Sequence, residues 1–181
     1  EFFASYSALT SSGQIDRDAI NNFSSALGQK IINPELLDIY STTNVKINNT
    51  DNTESRKEYY LQMQKWFKIY QSEGLSNELG LINQNIISTS SGSAPTTSDQ
   101  YSKLTKIAVA YQSFSKKIME LSVPSSLTQH HLDIANSANN TGISVLNMAK
   151  ISSDPIIGIS GLSQYQKYSD ALIKAVGDLE T

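Results

Sequence analysis

Apolar residues recur at three- and four-residue steps through most of the chain, a spacing that gathers them on one face of an α-helix. The last third keeps it most regularly. Leu127, His131, Ile134, Ala138, Gly142, Val145 and Ala149 hold the step, and Leu132, Ala135 and Leu146 widen the stripe. The pattern stops at Ser152-Ser153-Asp154 and resumes as Leu162, Tyr165, Ser169, Leu172, Val176 and Leu179. Asp154 followed by Pro155 predicts the restart. The Asp carboxylate accepts from a free amide of the first turn, and proline at the first helical position sacrifices no hydrogen bond. Each helix would run about 25 residues, or about 37 Å. So short a connection makes residues 124–179 a helical hairpin.

The rest of the chain reads the same way with more interruptions. Phe2, Phe3, Tyr6 and Leu9 predict a short first helix. Ile15 and Ile20 flank Asp16 as a hydrophobic staple, and Ile20, Phe23, Leu27 and Ile31 continue to the stop at Asn33-Pro34. Residues 35–40 add a further helical turn. Residues 42–53 are rich in Asn and Thr and read as a loop. Val45 and Ile47 alternate there, but a lone short strand has no partner in a helical chain, so both are expected to pack onto the helices. Ser55-x-x-Glu58 has the form of a capping box. It opens a helix whose stripe of Tyr59, Met63, Trp66, Phe67 and Tyr70 is the most aromatic in the chain. The pattern slips at Gly74 and resumes through Leu75, Leu79, Ile82 and Ile86, which predicts a kink. Residues 88–98 are a low-complexity polar loop. Thr97-x-x-Gln100 then caps a helix carrying Tyr101, Leu104, Ala108, Tyr111, Phe114 or Ser115, Ile118 and Leu121, stopped by Val123-Pro124. The prediction is a single all-α domain over 1–181, an antiparallel bundle of four long helices plus a shorter N-terminal helix.

Composition narrows the function more than the fold. Only 17% of the 181 residues are charged, against about a quarter in ordinary domains. Ser, Thr, Asn and Gln supply the polarity instead. A net charge of −3 offers no basic face, which argues against a nucleic-acid partner. With no cysteine, disulfides, thiolate metal sites and cysteine nucleophiles are excluded. Low charge without cysteine fits an exported domain. No apolar run reaches the ~18 residues of a membrane span. The chain starts inside an apolar stretch and without Met, so a signal or anchor segment is expected before residue 1, as the only link to a membrane.

Reactive constellations are sparse. His130 and His131 are adjacent, so they point about 100° apart on a helix and cannot jointly hold one metal. His131 falls on the apolar stripe and reads as a core histidine. Ser113-x-x-Lys116 has the spacing of a penicillin-binding nucleophile, but the companion Ser-Asp-Asn and Lys-Thr-Gly elements are missing. Asn49-x-Asp51-x-Thr53 starts like a calcium loop and then places Glu54 where glycine belongs and Tyr60 where the closing glutamate belongs. Gly158-x-x-Gly161 lacks the rest of a phosphate-binding fingerprint. Asn22, Asn48 and Asn139 begin glycosylation sequons at chance frequency. The expectation is a non-enzymatic domain with no cofactor and a protein partner. The alternative is a small-ligand bundle, a sensor or carrier, with a pocket near Trp66, Phe67, Tyr70 and His131.

Val123-Pro124, His131-Leu132, Asn136, Asp154-Pro155, Gly161-Leu162 and Tyr165 form a pattern in the C-terminal third. It resembles uncharacterised exported all-α proteins of ultrasmall, reduced-genome bacteria that live attached to host cells. That resemblance implies an extracytoplasmic domain at the cell envelope or surface, working in envelope assembly or host attachment, with no catalysis.

Overall fold

The computed structural model describes residues 35–72, 78–82 and 97–180. The predicted N-terminal helices, the kink at Gly74 and nearly all of the 88–98 loop lie outside them. What is described is mostly helical. A 3-10 turn at Thr42–Asn44 leads to strand β1 (Lys46–Asn48), then helix α1 (Thr53–Gln71). After the helical residues 78–82 come α2 (Thr97–Ile118), strand β2 (Ser122–Pro124), a 3-10 turn at Ser125–Leu127, α3 (Thr128–Met148) and α4 (Pro155–Glu180).

The helix boundaries follow local chemistry. Asp154 caps α4 as its sequence implies: its Oδ1 accepts from the Ile157 amide at 3.1 Å. The box that opens α1 sits three residues earlier than Ser55-x-x-Glu58. Asn52 Oδ1 accepts from the Ser55 amide at 2.9 Å, and the Asn52 amide donates to Ser55 Oγ at 3.0 Å. An Asn–Ser pair performs the same reciprocal satisfaction that a Ser–Glu pair would. The 3-10 turn before α3 is held by a distant carboxylate. Asp51 accepts from the Ser126 amide at 2.6 Å and from the Ser125 and Ser126 hydroxyls, while Arg56 donates to it at 2.7 Å. A negative charge there also suits the N-terminal end of the helix that follows. Those donors hold the Asp51 carboxyl far below the usual range, Arg56 contributing most.

Two expectations for residues 35–53 fail. The segment 35–40 is not helical. Nor is 42–53 only a loop: β1 pairs in parallel with β2, Lys46 opposite Ser122, Ile47 opposite Val123 and Asn48 opposite Pro124. The partner strand is the very Val123-Pro124 stretch that reads as helix punctuation. Pairing across some 75 residues leaves no local periodicity to read. Val45 does pack against the core, but Ile47 stays half exposed.

α3 is the axis of the described structure, packed along α4 on one side and α2 on the other. Asn147 donates to Gln164 at 3.1 Å, and Gly161 lies against the backbone of Met148. These pairings run in opposite directions along the two helices, so α3 and α4 are antiparallel. A Cβ on Gly161 would stand 2.5 Å from the Met148 nitrogen. Only glycine permits that crossing. Against α2, a Cβ on Gly142 would meet the Ala108 carbonyl oxygen at 2.8 Å. The core divides along α3. Its C-terminal half packs Val145, Met148 and Ala149 against Leu104, Ile107, Leu162, Leu81 and Ile82. Its N-terminal half packs Leu132, Ile134, Ala135 and Ala138 against Tyr59, Met63, Phe114, Ile118 and Val123.

Candidate functional site

The aromatic stripe of α1 builds one side of an open groove. Phe67 stacks at 5.0 Å on Phe114 of α2, and Tyr70 meets the same ring edge-on at 5.6 Å. Beside Phe67 the groove is lined by Tyr111 and Phe114 of α2, by Leu172, Ile173 and Val176 of α4, and by Gln71 at its end, with a volume of about 310 Å³. That is near the lower limit for ligand pockets. Its walls are apolar, and Ile173 on the rim is 68% exposed.

Of the residues singled out from the sequence, Phe67 lines the groove, while Trp66, Tyr70 and His131 do not. Trp66 is half-buried and lies under two ammonium groups, those of Lys117 at 5.3 Å and Lys65 at 5.8 Å. Such cation–π contacts hold a tryptophan at a surface. His131 is completely buried deeper in the core. Its Nδ1 lies 2.8 Å from the Tyr59 hydroxyl, and the rings pack edge to face. Burial pushes the imidazole down to about 4 and the Tyr59 phenol upward. Both groups are therefore neutral at pH 7. The two share one hydrogen bond, and the imidazole Nε2 has no partner among the described residues. A neutral histidine hydrogen-bonded in a core is a structural group here, with no substrate-accessible face.

The remaining motifs gain no support in three dimensions. In Ser113-x-x-Lys116, Ser113 is half-buried and Lys116 exposed, and the hydroxyl of the intervening Ser115 is bonded to the Ala135 carbonyl at 2.6 Å. Asp51 is engaged by Arg56, Ser125 and Ser126. Asn139 is 6% exposed, too deep to be modified in the folded state. Among the described residues no three His, Cys, Asp or Glu side chains gather as a metal set, and no helix is long and apolar enough to cross a membrane.

A second feature escaped the sequence reading. Asn136, Asn139, Asn140, Thr141 and Ser144 of α3 are all buried. Thr141 and Ser144 return their hydroxyls to carbonyls one turn back, at 2.8 and 2.7 Å. The asparagines face residues 35–40, which cross α3 and α4 without turn or bend. Asn136 accepts from the Tyr40 amide and donates to the Tyr40 carbonyl, both at 3.0 Å. The Tyr168 hydroxyl of α4 does the same for Leu36, accepting at 2.8 Å and donating at 3.2 Å. Between them Asn140, oriented by Asn139, reaches Asp38 at 3.4 Å, and Lys167 pairs with Glu35. Asn136 and Tyr168 stand where a neighbouring strand would and hold the segment by its main chain, while Asn140 and Lys167 hold it by the side chains of Asp38 and Glu35. The one sequence signal was the density of Asn in the middle of a helix, where it has poor propensity.

Comparison of the chain with protein-family models, with curated proteins and with solved structures returned no match.

Proposed function

We propose that this chain is a non-enzymatic, extracytoplasmic helical domain, an antiparallel bundle of four long helices, that acts through protein–protein contacts in envelope assembly or host-cell attachment. The observation that carries the reading is the groove between α1, α2 and α4: open, apolar-walled and rimmed by the exposed Ile173. An open apolar groove suits the apolar face of a partner helix, which needs area and shape rather than convergent polar groups. Asn136, Thr141 and Ser144 of α3 are meanwhile engaged with the protein's own backbone, and Asn140 with Asp38. An envelope location rests on the low-charge, cysteine-free composition and on the resemblance of the C-terminal third to exported helical proteins.

The small-ligand reading keeps one supporting observation, Phe67 in the groove wall. It is weakened by the openness of the groove and by the placement of Trp66, Tyr70 and His131 away from it. Cross-linking of the chain in its source cells separates the two. A protein captured in stoichiometric amount, and lost in an Ile173→Glu variant that folds normally, is the expected result. No captured protein, together with a small molecule retained in native mass spectrometry and lost in Phe67→Ala, would reverse the assignment.

A further inference from the structure

Among the described residues, the segment 35–40 has one edge bonded and the other unpaired. On the inner edge both polar main-chain atoms of Leu36 and of Tyr40 are bonded by Tyr168 and Asn136. On the outer edge, the main chain of Leu37 and Ile39 bonds to no group among the described residues. Their side chains are also turned outward, 82% and 54% exposed. An unpaired straight edge with alternating exposed apolar residues is a template for another strand. Proteins ordinarily blunt such edges by shortness, by lysine, by proline or by a bulge. β1 follows that rule, being three residues long with Lys46 at its start. The run Leu36-Leu37-Asp38-Ile39-Tyr40 contains neither lysine nor proline.

We propose that the outer edge of residues 36–40 is a strand-addition site for an extended segment of a partner protein. This deepens the protein-contact reading and rests on it, because it names a second surface, apart from the groove, and the chemistry of what docks there. The hydrogen bonds from α3 and α4 hold the segment straight in advance, so a partner strand meets an edge whose ordering cost is already met. Main-chain pairing supplies affinity, and side chains supply choice. Val or Ile would lie beside Leu37 and Ile39, and Lys or Arg beside the exposed Asp38. A second copy of the chain fits less well. Pairing Leu37 with Ile39 across a two-fold axis sets Asp38 against Asp38, and like charges directly opposite each other destabilise a ladder.

The test uses the full chain and a fluorescein-labelled peptide of alternating Lys and Val, read by anisotropy at physiological salt. A double Leu37→Pro, Ile39→Pro variant removes both outer amides and leaves the inner bonds of Leu36 and Tyr40. It is expected to bind at least about tenfold more weakly with an unchanged circular dichroism spectrum. The same peptide methylated on alternate amides is expected to lose binding to the same extent. Equal binding by the proline variant or by the methylated peptide overturns the proposal, as does the absence of saturable binding to the unmodified chain. A concentration-dependent dimer that the prolines abolish assigns the edge to a second copy instead, and overturns the choice of partner. The two levels of inference fail separately in source-cell cross-linking. A partner captured equally by the unmodified and proline chains sinks the edge alone, whereas no captured partner sinks the protein-contact reading beneath it.

Discussion

The aromatic stripe of α1 and the asparagine-rich middle of α3 exchange the roles that their compositions imply. Trp66, Phe67 and Tyr70 are half-buried, and Phe67 forms the wall of an open groove. Asn136, Asn139, Asn140, Thr141 and Ser144 are buried. Contact explains the inversion. α1 packs through Tyr59 and Met63 and leaves the C-terminal part of its stripe at an edge. α3 lies between α2 and α4 and has little free face. A helix enclosed on nearly all sides is expected to be apolar all round. This one is not, because its polar side chains find partners in the protein: its own carbonyls at Ser137 and Asn140, the main chain of Tyr40 beside the α3–α4 seam, and the Asp38 carboxylate. A side chain's polarity predicts burial only when its possible partners are counted with it.

The sharpest way to break the comparison is to remove the ring on which the α1 face rests. Phe114 is 2% exposed and meets both Phe67 and Tyr70. Phe114→Ala is expected to cost about 3 to 5 kcal/mol, the range for a large aromatic truncated in a core. Trp66→Ala, at the half-exposed edge, is expected to cost far less. Urea unfolding of both variants checks it, and equal losses would place Trp66 in the core after all.

Acid provides the second test, at the point where α1 and α3 meet. His131 titrates near 6.5 in an unfolded chain and is pushed down to about 4 in the folded one by burial. The unfolded state therefore binds the proton first, so stability is complete above pH 6.5 and falls as pH drops toward 4. Between pH 6.5 and 4.5 the loss from this group is about 2 kcal/mol. His131→Asn keeps an acceptor near the Tyr59 hydroxyl without a titrating ring. It is expected to flatten the slope of unfolding free energy across that window. A slope unchanged by the substitution would mean that the imidazole is already solvated.

Helical class, the restart at Asp154-Pro155 and the stripe of α3 from His131 to Ala149 were legible because each is written in consecutive residues. A cap needs a neighbour three positions away, and a stripe needs a period of 3.6. The β1–β2 ladder was not legible, since Ile47 finds Val123 only after α1 and α2 have folded between them. The hold on residues 35–40 was hidden for the same reason: Asn136 and Tyr40 are 96 positions apart. Two local signals misdirected the reading. Glu58 made Ser55 look like a cap, whereas Asn52 is the cap and Ser55 its third-position partner. Tyr70 and His131 share an aromatic or titratable character with Phe67, but Tyr70 meets Phe114 without lining the groove and His131 lies buried against Tyr59.

The asparagine side of the comparison has its own test. Asn136→Ala leaves the Tyr40 amide and carbonyl without their partner. Tyr40 is only half-buried, so water replaces part of what is lost. The expected cost is about 1 to 2 kcal/mol, at the level of one or two ordinary hydrogen bonds. Amide exchange gives the clearer signature: Tyr40 and Leu36 are expected to lose protection while α2 and α4 keep theirs. Uniform loss across the helices would mean that Asn136 supports the core rather than the segment crossing it.

The smallest effect expected is at the start of α1. Asn52→Ala removes the acceptor for the Ser55 amide and leaves the Ser55 hydroxyl free to donate to the Asn52 carbonyl, a contact of 2.9 Å already present. Loss of an N-cap side chain costs about 1 kcal/mol. Ser55 is nearly buried, so it stays in place and its amide is the group left unsatisfied. Asn52→Ser, which restores an oxygen at the cap, is expected to recover most of the loss, whereas Glu58→Ala, which removes the carboxylate of the box read from sequence, is expected to change the unfolding midpoint very little. The reverse ranking would return the cap to Ser55 and start α1 three residues later.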